Sequence, residues 1–178
     1  MSQFYNKLPV LGFVAYSGTG KTTLLKQVIA QLRDRGIRVG TLKHTHHDFE
    51  IDVPGKDSYE LRKAGAQTTL IASPNRWVLI NENTPPSTPS LATMLDRFDS
   101  STLDLLLIEG FKTEGFPKIE LRRRDYPNIS LANNDPTIIA IACDDPALSH
   151  DKLPRLDLND PVAITDYVQA FCKSWLQK

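Results

Sequence analysis

A short, almost wholly apolar run from Leu8 to Ala15 gives way to the Gly-rich stretch Ser17 to Gly20. Behind it Leu24, Leu25, Val28, Ile29 and Leu32 recur at helical spacing, which predicts a strand, a tight loop and an amphipathic helix. Gly36 follows the charged Arg33, Asp34 and Arg35, as a left-handed helix cap does, and Ile37 to Leu42 reads as a second strand completing a βαβ unit. Ser58 to Ala64 predicts a short helix. Thr68 to Ala72 and Arg76 to Ile80 read as strands about Ser73-Pro74-Asn75, a hairpin turn that would make the sheet mixed. Asn81 to Ser90 contains three prolines and reads as a long surface loop, with Leu91 to Phe98 helical after it.

The run Leu103 to Ile108 is too apolar for a strand with one wet face and is expected at the centre of the sheet, covered on both sides. Asp104 marks its start. Ile119 to Leu121 and Thr137 to Cys143 supply further strands, and Tyr126 to Pro136 is polar and loop-like. Asp160 suits the cap of a last helix with Pro161 at its first position, since Ile164, Tyr167, Val168, Phe171 and Trp175 then share one face. Alternating strands and helices predict a three-layer α/β fold with a mostly parallel central sheet and additional hairpin strands, in one domain spanning residues 1–178.

The Gly-rich loop carries the most specific chemistry. In Ala15-Tyr-Ser-Gly-Thr-Gly-Lys-Thr22 the backbone amides of the loop and of the helix start can converge on phosphate oxygens. Lys21 would reach the β- and γ-phosphates, the Thr22 hydroxyl would ligate Mg2+, and Gly18 and Gly20 would let the backbone approach closely. Ala15 stands where the general motif has Gly. The core Gly-x-Gly-Lys-Ser/Thr arises by chance in roughly one chain of this size in a hundred or fewer, and its place between a strand and a helix argues further against a mere Gly-rich turn. An acid at the end of another buried strand should accompany it. Glu109, after Leu105-Leu-Leu-Ile108, fits as a magnesium-side carboxylate, the alternative being a cap for the next turn. Asp104 lies at the wrong end of the strand and on its other face.

Three other segments leave alternatives open. Lys43-His44-Thr45-His46-His47-Asp48 should lie on the same sheet edge as the phosphate loop. It reads as a transition-metal site, as a loop that moves with nucleotide state and brings Asp48 or Asp52 near magnesium or the attacking water, or as an exposed polar loop. Arg122-Arg123-Arg124 can grip a phosphate or an acidic partner, or can be a solvated strand end. Asp144 can accept hydrogen bonds from guanine, or Asp144-Asp145-Pro146 is a turn; a guanine-reading Asn-Lys-x-Asp is absent.

Composition narrows the setting. The 178 residues are 40% hydrophobic and 24% charged, with 21 basic against 21 acidic side chains, so no overall field draws the chain to nucleic acid or an anionic membrane. No apolar stretch approaches the roughly 18 to 20 residues of a membrane helix, and the polar Met1 to Lys7 does not suggest export. A cytoplasmic protein is expected, with Cys143 and Cys172 as reduced core residues.

Four blocks together resemble the molybdopterin-guanine dinucleotide biosynthesis protein B (MobB) family. They are Ala-Tyr-Ser-Gly-Thr-Gly-Lys-Thr-Thr at 15–23, Lys-His-Thr-His-His-Asp at 43–48, Pro-Gly-Lys-Asp-Ser-Tyr-Glu-Leu-Arg-Lys-Ala-Gly-Ala at 54–66 and Leu-Leu-Leu-Ile-Glu-Gly-Phe-Lys at 105–112. The resemblance covers nearly the whole chain, and that family tolerates Ala at position 15. It implies a P-loop NTPase fold and a dimeric GTP-binding adapter with weak GTPase activity, working beside the guanylyltransferase that attaches GMP to molybdopterin. The phosphate-holding loop reads as Ser17 to Thr23; by the same resemblance Gly18, Thr19, Gly20, Lys21, Thr22 and Thr23 hold the phosphates, Glu109 lies on the Mg2+ side, and the block from His44 to Asp48 faces the site. From Arg122 to Asn134 no motif matches. A small-molecule kinase using Arg122 to Arg124, and a metal-insertion GTPase using His44, His46 and His47, are the rival functions.

Overall fold

The structure, a computed structural model, describes residues 8–45, 47–126 and 129–177. These divide into two compact units, one formed by the chain up to His44 together with the chain from Leu91 onward, the other by Thr45–Ser90. The first unit contains β1 (Val10–Val14), α1 (Lys21–Asp34), β2 (Val39–Lys43), α3 (Leu91–Leu95), β5 (Leu105–Glu109), β6 (Lys118–Arg122), β7 (Ile138–Cys143), β8 (Arg155–Asp157) and α4 (Pro161–Trp175). The second contains α2 (Asp57–Lys63), β3 (Thr68–Ser73) and β4 (Arg76–Asn81).

In the first unit six strands form one sheet in the order β2-β5-β1-β6-β7-β8, with every pairing parallel. The expectation of a mixed sheet is therefore corrected: β3 and β4 pair only with each other, as a separate antiparallel ribbon. The difference is visible in the side chains. Central β1 and β5 are apolar on both faces, whereas the ribbon alternates exposed and half-buried positions. The short β8, which the sequence pattern did not predict, adds an edge to β7.

Period-two alternation divides the core. Leu105 and Leu107 join Leu11, Phe13, Ile119 and Leu121 beneath the apolar stripes of α1 and α4, whereas Leu106 and Ile108 pack with Leu8, Val10, Phe116 and the two leucines of α3. A third cluster gathers Val14, Ile141, Cys143 and Leu148. Asp160 caps α4, its carboxylate accepting from the Val162 and Ala163 amides at 3.1 and 3.0 Å. Both cysteines are buried free thiols, and burial pushes the Cys172 thiol up to about 11. No helix among the described residues is long and apolar enough to cross a membrane.

Strand β6 also carries two buried charges. Lys118, 1% exposed, donates to Asp135 at 2.7 Å and to Thr137 at 2.8 Å, and lies 5.0 Å above the Phe116 ring. Glu120, equally buried, accepts from the Ser130 hydroxyl and from the amides of Leu131 and Ala132 at 2.8–3.0 Å. Removing one partner of a buried ion pair strands the other charge, whereas replacing the pair by apolar groups is tolerated. Asp135→Ala is thus expected to lower stability by about 3 kcal/mol, and adding Lys118→Met to the same chain should restore much of it; urea unfolding of the two variants measures both.

In the second unit Arg62 joins Glu50 and Glu82. Leu70 faces Leu79, and Ala72 faces Trp77, across the ribbon. That face is apolar and open, with Leu70 62% and Trp77 69% exposed.

Candidate phosphate-binding site

The phosphate loop turns on two glycines with positive φ, Gly18 at 83° and Gly20 at 91°. Gly20 starts α1, and no side chain caps that helix. In contrast to α4, the α1 N-terminus thus presents its first amides to whatever anion occupies the loop. Thr19 turns inward: it is 2% exposed, and its hydroxyl donates to the Tyr16 carbonyl at 2.8 Å. Ser17, Thr22 and Thr23 are exposed, and Lys21 is half-buried.

Sheet register brings the predicted acid to this loop. Glu109 is aligned with Phe13 of β1 on one side and Lys43 of β2 on the other. Thr22 and Glu109 line one cleft of about 200 Å³, together with Lys26, Thr41 and Lys43. Burial pushes the Lys21 ammonium below its usual range; Glu109 opposes this, and Lys112 and Lys43 reinforce it. Lys43 lies 3.7 Å from Glu109, and Lys112 lies 5.9 Å over the Tyr16 ring. Three lysines and one carboxylate thus gather beside an uncapped helix start, a net positive field that attracts a polyanion.

The turn after Glu109 is held tightly. Gly110 has φ 106°, Phe111 has φ 49°, and the Phe111 ring stacks on His44 with centroids 4.4 Å apart. The His44 amide donates to the Glu109 carbonyl at 2.8 Å. A Cβ at Gly110 would come within 2.7 Å of the His44 Cβ and 3.0 Å of its carbonyl oxygen. His44 is thereby built into the floor beside Glu109. His47 and Asp48 belong to the second unit, where both are exposed, and His46 lies outside the described residues. Among the described residues no group of three or more His, Cys, Asp or Glu is placed to hold a metal.

Each arginine of the basic triplet has an acceptor within the chain. Arg122 donates to the Leu148 carbonyl, Arg123 to the Thr19 carbonyl at 2.8 Å and to Asp144 at 3.4 Å, and Arg124 to Asp145 at 2.7 Å. Asp144 also accepts from the Arg124 amide at 3.1 Å. Tyr126 donates its hydroxyl to the Gly18 carbonyl at 2.8 Å. These contacts from Arg123 and Tyr126 to the loop escaped the motif reading. The only signal for them was position, a polar turn following a strand next to β1.

The donor set fits Mg2+ carried by a nucleotide: hard oxygens from Thr22 and Glu109, with room for phosphate and water ligands in place of an all-protein cage. A parallel sheet whose β1 runs through a Gly-Lys loop into a helix, with an acid at the end of the neighbouring strand, is the P-loop NTPase fold. The sequence model described as "Molybdopterin guanine dinucleotide synthesis protein B" matches residues 10–144. The chain therefore belongs to the MobB family. It is 48% identical over 171 residues to the molybdopterin-guanine dinucleotide biosynthesis adapter protein of Escherichia coli K12, covering 96% of this chain and 95% of that one. A crystal structure of molybdopterin-guanine biosynthesis protein B superposes with TM-score 0.72 at 25% identity, covering 92% of this chain and 99% of the other. Bacillus subtilis MobB gives 0.71 at 27% identity, covering 92% and 98%.

The Gly110 turn yields a direct test. Gly110→Ala forces an L side chain into a left-handed backbone and against His44, so thermal or urea unfolding should report a loss of about 2 kcal/mol.

Proposed function

We propose that the protein binds Mg-GTP on its phosphate loop and serves as an adapter in molybdopterin-guanine dinucleotide biosynthesis, assisting the guanylyltransferase that joins GMP to molybdopterin. The observation that carries this reading is the convergence of Lys21, Thr22 and Glu109 on the start of α1, in a chain 48% identical to an adapter of that name. Guanine preference and the guanylyltransferase as partner are taken from the resemblance to that family. Lys21 would neutralise the β- and γ-phosphates, and the loop amides would orient them. Thr22 and Glu109 would hold Mg2+, which supplies further charge neutralisation between the phosphates. Hydrolysis would be weak: Arg122 at the end of β6 and Arg123 and Arg124 after it are engaged within the chain, which leaves none of them poised as a finger. A cytoplasmic homodimer is the working assembly, and a second copy of the chain is a natural cover for the open apolar face formed by Leu70, Trp77 and Leu79.

Calorimetric titration with non-hydrolysable GTP and ATP analogues tests the reading. GTP should bind more tightly than ATP, and Lys21→Ala should weaken either by about tenfold to a hundredfold, as expected for a lost charged hydrogen bond. Glu109→Ala should weaken binding in magnesium more than binding without it. Equal or tighter ATP binding would exclude the GTP assignment, and unchanged affinity in folded Lys21→Ala would exclude the site.

The lowered Lys21 pKa adds a pH signature. Bound phosphates favour the ammonium and raise its pKa, so affinity is level while the free protein's Lys21 is charged and falls as pH rises through that depressed value. Above pH of about 8, where the triphosphate is fully ionised, binding should take up protons, detectable as a heat that changes with the ionisation enthalpy of the buffer.

A further inference from the structure

A loop that turns its amides inward to an anion must turn carbonyls outward, and those oxygens need donors of their own. In this chain the outward carbonyls of Gly18 and Thr19 are met by two side chains of the turn that follows β6. Tyr126 donates its hydroxyl to Gly18 at 2.8 Å, and Arg123 donates Nε to Thr19 at 2.8 Å. The fit is close: a Cβ at Gly18 would stand 3.0 Å from the Tyr126 ring, and one at Gly20 would stand 3.5 Å from the Arg123 Nη2. The turn is closed on itself, with the Tyr126 amide donating to the Arg123 carbonyl at 3.2 Å. The other arm of the Arg123 fork reaches Asp144 Oδ2 at 3.4 Å, while Asp144 Oδ1 accepts from the Arg124 amide at 3.1 Å. Asp144 thus has each carboxylate oxygen directed at the arginine turn.

We infer that Arg123 and Tyr126 are positioning residues that hold the phosphate loop in its anion-binding shape from behind, and that Asp144 acts through Arg123, aiming its guanidinium, instead of selecting the base. This rests on the phosphate-binding reading of the loop. A guanidinium suits the task because its planar fork serves two acceptors at once, here a carbonyl on the loop and a carboxylate at the end of β7; an ammonium is a point charge with no such fork. The chain Thr19–Arg123–Asp144 ties the loop after β1 to the loop after β7, across β6, which lies between those two strands.

The test uses the full chain and three ligands: Mg-GTP, Mg-ATP and Mg-tripolyphosphate, the last having no base to read. Arg123→Ala and Asp144→Ala are expected to weaken all three by a common factor of about tenfold, leaving the GTP:ATP ratio and the melting temperature close to those of the parent. Arg123→Lys should fail to rescue, and Tyr126→Phe should weaken all three by a smaller common factor. Amide hydrogen exchange at residues 16–20 without ligand should be faster in Arg123→Ala. If Asp144→Ala changes the GTP:ATP ratio and spares tripolyphosphate, Asp144 is a base reader and the inference is overturned. Parent-like affinity and loop exchange in Arg123→Ala overturn it equally. A parent chain that binds none of the three ligands overturns the phosphate-site reading and this inference with it, an outcome distinct from the others because it precedes any substitution.

Discussion

Parallel strands all end on the same edge of their sheet, and that constraint assembles the site. β1 lies between β5 and β6, in a register that sets Phe13 beside Glu109 and Val14 beside Glu120. The chain leaving β1 must therefore enter its loop with the β5 acid on one flank and the β6 turn on the other. Nothing in the loop itself selects these neighbours. They follow from strand order and register, which in turn follow from burying apolar side chains on both faces of β1 and β5.

The connection from β6 back to β7 explains why β6 tolerates two buried charges. Lys118 and Glu120 are two residues apart and share a face, opposite the one that Ile119 and Leu121 turn to α1 and α4. Each takes its partners from the segment that runs back toward β7: Asp135 and Thr137 for the lysine, Ser130 and two amides for the glutamate. A segment with little apolar content, here Leu131 and Ala132 against the third core cluster, has only a weak hydrophobic reason to lie in one place. Buried, fully partnered charges supply a further reason, because any displacement strands an ion in the core. The turn bearing Arg123 and Tyr126 leads into this fastened segment.

Legibility in the sequence tracked how local the cause was. The phosphate loop, the first helix, the cap at Asp160 and the buried strand before Glu109 are set by neighbouring residues, and each lies where the pattern puts it. The hairpin was found at its turn, yet its sheet was misassigned, since pairing partners far along the chain leave no local trace. β8 has three residues, only one of them apolar, and its strand character comes from β7 alone. The contacts of Lys43, Lys112, Arg123 and Tyr126 around the loop depend on strand order, so spacing alone could not supply them. The partners of the two buried charges of β6 lie 10 to 19 residues away, so local pattern could not show them.

Cations surround the phosphate loop in two chemically different sets. Lys21, Lys43 and Lys112 act on the side of Glu109, as compact charges on flexible stems. Such groups can follow a ligand whose charge and metal content change, at the cost of ordering each stem when it binds. On the opposite flank Arg122, Arg123 and Arg124 are forks, each already committed to an acceptor of the chain. The basic triplet that looked like a grip for an outside anion is thus engaged within the chain, and it is Arg123 among the three that reaches the loop. On the proposed phosphate-binding reading, the Arg123 contact would keep the loop amides in one geometry before an anion arrives, and the ordering cost would fall on the lysine stems.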